Sequence, residues 1–138
     1  MYDTLQLSIL GLWAGAAWGA VAYLLGSSAF GPAIWPGVLS SPLIGLLVAR
    51  LTHPGFARST GLWRALWALA SLYIGAVLFS LPISVREVIV RGARSSAPFE
   101  VALEPLLAVL WGVTVTWFVL VLWPLAYLTH SLVDWRLS

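Results

Sequence analysis

The residues of this sequence whose types and spacing could do chemistry are His53, His130 and Asp134. Imidazole exchanges protons near neutral pH and ligates transition metals. Two imidazoles at similar depth on two helices could ligate a haem iron, and one alone could ligate the magnesium of a chlorophyll or bacteriochlorophyll. His130 and Asp134 stand four residues apart, so on a helix they share a face, and a hydrogen bond between them could orient the ring for acid–base work. Ser131 adjoins His130 but points to another side of the same helix, which places it badly as a nucleophile. His53 precedes Pro54-Gly55, which reads as a chain break, so His53 is expected in a loop at the membrane surface and His130 at a similar interfacial depth. The chain has no cysteine, which removes disulfides, thiol nucleophiles and cysteine-held metals. The expectation is a protein that is not an enzyme, with no metal and no resident cofactor; haem, chlorophyll-type pigments and carotenoid are the groups its histidines and tryptophans would suit.

The elements that must position these residues follow from composition. Of 138 residues, 61% are hydrophobic and 9% charged, against about 25% charged in soluble domains. A membrane span needs roughly 20 mostly apolar residues, and the sequence supplies four such stretches, at about residues 5–26, 34–52, 61–81 and 105–128. The fold expected is an all-α integral membrane protein, one domain over residues 1–138, with four transmembrane helices in an antiparallel bundle. Pro42 and Pro124 predict kinks in the second and fourth helices. The segment ISVREVIV, residues 83–90, either continues the third helix beyond Pro82 or forms a short interfacial helix. The start, MYDTLQLSIL, carries Asp3 and no basic residue, so the first stretch is read as a span rather than a secretory signal.

Three glycines at one-turn spacing, Gly11, Gly15 and Gly19, mark the first span, extended by Ala22 and Gly26. Each interior glycine costs a helix about 1 kcal/mol against alanine. In hydrocarbon, helices associate through close backbone approach and dispersion, so a flat glycine groove becomes a packing face. A second small stripe, Ala65, Ala68, Ser71 (or Leu72) and Gly75, makes the third span the expected internal partner, and a helix from another subunit is the alternative. Of nine tryptophans, Trp35, Trp63, Trp123 and Trp135 fall near span ends, where indole suits the headgroup level. Trp13, Trp18, Trp67, Trp111 and Trp117 lie further in and are candidates for packing, lipid contact or contact with a pigment or quinone.

The ionisable residues all fall in loops or near span ends. Their absence from the midplane argues against a proton-coupled pump. Four spans put Arg50, Arg58, Arg64 and Arg136 on the side of both termini, against Arg86, Arg91 and Arg94 on the other, which favours cytoplasmic termini. Arg86, Glu87, Arg91, Arg94, Glu100 and Glu104 form a mixed-charge segment that either is solvated or docks a partner. No basic patch points to nucleic acid. The function expected is that of an accessory, structural subunit in a bacterial inner or energy-transducing membrane. It would pack against lipid and other subunits of a respiratory or photosynthetic assembly. The alternatives are a subunit that contacts pigment, haem or quinone, and a small homo-oligomeric transporter or channel.

Overall fold

The computed structural model describes residues 3–91, 98–115 and 118–138. Asp3 opens the first helix: its Oδ1 accepts the Leu5 backbone N–H at 2.9 Å, satisfying a donor that a helix start leaves without a partner. Helix α1 runs Thr4–Phe30 and ends where Gly31 takes a φ of 57°, a left-handed backbone that glycine reaches without the steric cost of a Cβ. A 3-10 turn over Gly31–Ile34 then reverses the chain into α2, Trp35–Arg58. Helices α3, Leu62–Val90, α4, Pro98–Val115, and α5, Phe118–Leu137, follow. Every element among the described residues is helical. Three helical stretches are long and apolar enough to cross a membrane: Thr4–Arg58, which contains the α1–α2 hairpin, Leu62–Val90 and Phe118–Leu137.

The tightest contact in the fold is between α1 and α2. A Cβ added at Gly15 would collide with the carbonyl oxygen of Ser41 and come within 2.8 Å of the Gly45 Cα; one at Gly11 would come within 2.9 Å of the Leu46 Cα. Gly19 faces the Ser41 side chain, and Gly26 faces Ile34. The glycine groove of α1 is therefore filled by the backbone of α2, which presents its own small residue, Gly45, at the crossing. The expected partner, the third span, lies elsewhere. Its small stripe receives α5 instead: Ala68 is buried with Leu122 and Ala126, and the Ala65 carbonyl accepts the Trp123 indole N–H at 2.7 Å. A hairpin neighbour reaches the groove first because a four-residue turn leaves α2 nowhere else to lie.

Several boundaries differ from those the sequence suggests. Helix α2 does not break at His53-Pro54-Gly55 but continues to Arg58. Pro54 deprives only the Arg50 carbonyl of its partner, and Gly55 lets the Trp67 ring lie against the α2 backbone. The chain turns instead at Gly61, where φ is 56°. Pro42 frees the Val38 carbonyl in mid-helix, and the Ser41 hydroxyl donates to that oxygen at 2.6 Å. Helix α3 passes through Pro82 to Val90, so residues 83–90 belong to it and form no separate interfacial helix. Pro105 lies inside α4, which already begins at Pro98.

Large apolar side chains point outward on every helix, among them Trp13, Leu24, Leu39, Ile89, Phe99, Trp111 and Val121. The buried apolar cluster is small and centred on Phe56, Ala68, Leu72, Leu122 and Ala126. An apolar surface of this extent suits hydrocarbon rather than water.

Substitution of Gly15 by leucine gains helix propensity of about 1 kcal/mol but sets the side chain against immovable backbone, a cost of roughly 1–3 kcal/mol or more. Gly15→Leu is expected to lower the thermal midpoint in detergent. Gly75→Ala, whose Cβ would meet only Val48 at 3.9 Å, is expected to leave it unchanged or raise it.

Candidate functional site

Because α2 continues past Pro54 and α5 runs to Leu137, both histidines are carried inward. His53 is 0% exposed and His130 7%, which corrects the expectation of two interfacial imidazoles. Their Nδ1 atoms stand 3.1 Å apart, with the rings within 11° of parallel. His130 Nε2 lies 3.0 Å from the Ser71 hydroxyl oxygen, and that hydroxyl donates to the Ala68 carbonyl at 2.7 Å. Ser71 has thus spent its hydrogen and accepts from His130 Nε2–H. His130 Nδ1 is then the acceptor, and His53 Nδ1–H donates to it. On its far side His53 presents Nε2 to Asp134 Oδ1 at 3.6 Å. The other carboxylate oxygen of Asp134 accepts from Arg64 Nη2 at 3.2 Å.

The result is a polar line through α3, α5, α2, α5 again and back to α3: Arg64, Asp134, His53, His130, Ser71. Asp134 is 41% and Arg64 27% exposed, so the line starts at the surface and ends buried. Phe56 covers it. Its ring stacks on His130 at 4.8 Å between centroids, takes the Arg64 guanidinium on its face at 4.2 Å, and meets the edge of Tyr127. His130 and Asp134 do share one face of α5, as the i, i+4 spacing implies, but their link runs through His53 on another helix.

The buried end of the line opens on a cleft of about 380 Å³, within the usual range for small-molecule sites. Its lining runs along α1 from Gly11 to Phe30, about 28 Å of helix at 1.5 Å per residue. Ser71, Thr129 and the two histidines stand at one end, and small residues such as Gly19, Gly75 and Gly112 make room along its length. The Trp18 indole N–H donates to Thr129 Oγ1 at 3.1 Å beside this end.

The remaining residues singled out in the sequence are distributed as follows. Gly11, Gly15, Gly19, Ala22 and Gly26 all line the cleft, and the first three also face α2, whereas Gly26 faces Ile34 of the 3-10 turn. Trp67 packs over Gly55, whereas Trp13 and Trp111 point away from the protein. Trp117 and Arg94 lie outside the described residues. Arg91 pairs with Glu87 one turn earlier and with Glu104 of α4 at 2.8 Å. Arg86 pairs with its neighbour Glu87 at 3.0 Å. Donating hydrogen bonds to Glu104 and, next, to Glu87 raises the pKa of the Arg91 guanidinium. Glu100 stands in the first turn of α4, where a negative charge complements the helix dipole.

Arg64, Phe56 and Ser71 were not legible as site residues. The available signals were the assignment of Arg64 to the same membrane side as both histidines, and the interior hydroxyl of Ser71. The two imidazoles face each other through their Nδ1 atoms, and both nitrogens of His130 have polar neighbours within hydrogen-bond distance. Among the described residues no three His, Asp or Glu side chains gather as a metal set. No protein-family model, curated protein or solved structure matches the chain.

Removing one imidazole leaves the other with a buried, unpaired nitrogen, at a cost of roughly 1–3 kcal/mol. His53→Ala and His130→Ala are each expected to destabilise the protein by that amount in denaturant titrations. The double variant is expected to cost less than their sum, by about 1 kcal/mol or more.

Proposed function

We propose that the chain is an integral membrane protein that crosses the bilayer four times, with both termini cytoplasmic, and that it serves as a non-catalytic subunit whose central cleft holds a long, mostly apolar molecule of the quinone class. The observation that carries this reading is the shape and polarity of the cleft. It is nearly as long as a bilayer's hydrocarbon is thick, lined mostly by glycine, alanine and larger apolar residues, and carries the two histidines, Ser71 and Thr129 at one end with Ser41 alone further along. An isoprenoid-like tail fits the apolar length. A ring carbonyl at the polar end would accept from the Ser71 and Thr129 hydroxyls, which now donate to the backbone oxygens of Ala68 and Leu125. The cytoplasmic assignment of the termini rests on the arginine distribution. In this reading the respiratory-type accessory role and the quinone contact are one function: the subunit positions the molecule for a larger assembly.

Organic extraction of the protein purified in mild detergent is expected to release a quinone in near-stoichiometric amount, detectable by mass spectrometry. A Cβ at Gly112 meets open space, so Gly112→Leu fills the cleft without disturbing its walls. That variant is expected to keep the wild-type thermal midpoint and to carry no quinone. Equal quinone content in both proteins, or none in either, overturns the reading.

The absence of native cysteine also allows the orientation to be read directly. Ser138→Cys is expected to react with a membrane-impermeant maleimide only from the cytoplasmic face, and Phe99→Cys only from the opposite face. The reverse pattern overturns cytoplasmic termini.

A further inference from the structure

We infer that Asp134, His53, His130 and Ser71 form a one-sided proton relay, which connects the surface at the ends of α2 and α5 to the polar end of the cleft. The inference goes beyond the proposed ligand, because the relay is a property of the side chains whatever molecule fills the cleft.

The geometry supplies each step. The distances from Asp134 Oδ1 to His53 Nε2, from His53 Nδ1 to His130 Nδ1, and from His130 Nε2 to Ser71 Oγ are 3.6, 3.1 and 3.0 Å. A proton arriving from water at the exposed Asp134 carboxylate passes to His53 Nε2. His53 releases its Nδ1 proton to His130 Nδ1, and His130 releases its Nε2 proton to the Ser71 oxygen as the Ser71 hydroxyl hydrogen passes to a water or carbonyl oxygen in the cleft. One proton enters and one leaves, and each ring ends as a neutral imidazole with its hydrogen on the other nitrogen. The same transfers run backward to carry a proton out. Imidazole is the side chain suited to this, because its two nitrogens accept and donate at opposite ends of one ring.

The surroundings confine the path. Arg64 of α3 holds Asp134 in place from outside, and Phe56 of α2 stacks on His130 and lies alongside His53. Beyond Ser71 the cleft carries no further titratable side chain among its lining residues. Protons therefore reach the cleft from one compartment and have no route to the other.

The test uses the chain's lack of cysteine. Ser71→Cys places a single thiol at the buried end of the relay, and its S–H stretch reports exchange to S–D after transfer into heavy water. With both histidines present, exchange is expected to finish promptly. Adding Asp134→Asn, which keeps an oxygen for Arg64, is expected to slow it by about tenfold or more, and adding His53→Leu to do the same. A merely structural contact predicts the opposite, since loosening the cluster admits water and speeds exchange. Equal or faster exchange in the Asp134→Asn background therefore overturns the relay, even if His53→Leu fails to fold. In liposomes the wild-type protein is expected to add no transmembrane proton leak, and a leak abolished by His53→Leu overturns the one-sided path.

Discussion

The backbone contact between α1 and α2 is the constraint from which the remaining geometry follows. Where Gly15 meets Ser41 and Gly45, no side chain separates the two helices. Outside water there is no hydrophobic drive to hold helices together, so the dispersion gained at such short range substitutes for it. The contact fixes the depth of α2 against α1. Since α2 is a single helix from Trp35 to Arg58, fixing one end also fixes the height at which His53 meets α5.

The same glycines leave the cleft. A helix face without side chains either admits a neighbour closely or leaves space, and α1 does both along its length. Toward α2 the space is closed by backbone. Toward α4 and α5 space remains, and α1 reaches α5 through Trp18, whose indole N–H donates to Thr129 beside the histidine end. Small residues are thus the source of both the tightest packing and the central cleft.

Burial of two imidazoles, a partly covered arginine and a carboxylate in so apolar a chain is costly unless each finds partners. The cluster meets most of that need through bonds between helices, while the Ser71 hydroxyl returns to the Ala68 carbonyl of its own helix and Arg64 Nε has no hydrogen-bond partner among the described residues. Arg64 and Ser71 come from α3, His53 from α2, and His130 and Asp134 from α5, so the cluster ties together three helices whose remaining contacts are mostly apolar. The opposite end carries a simpler device: Arg91 bridges α3 and α4 through Glu87 and Glu104 at the surface, where ion pairs contribute little to stability.

Much about this protein is determined by sequence. Its helical, apolar class follows from composition, and the glycine face of α1, the i, i+4 relation of His130 to Asp134, and the clustering of charge at helix ends follow from spacing. These are properties of one helix at a time, governed by local periodicity. Which helix fills the glycine groove, and whether His53 lies in a loop or in a core, were decided by tertiary structure. Pro54-Gly55 reads as a break because each residue weakens a helix in isolation. Here the Trp67 ring against Gly55 and the Phe56 stack on His130 supply packing that holds the last turn in place. The histidine pair spans 77 positions of sequence, and no local pattern encodes a contact that exists only once α2 and α5 share a neighbour in α3.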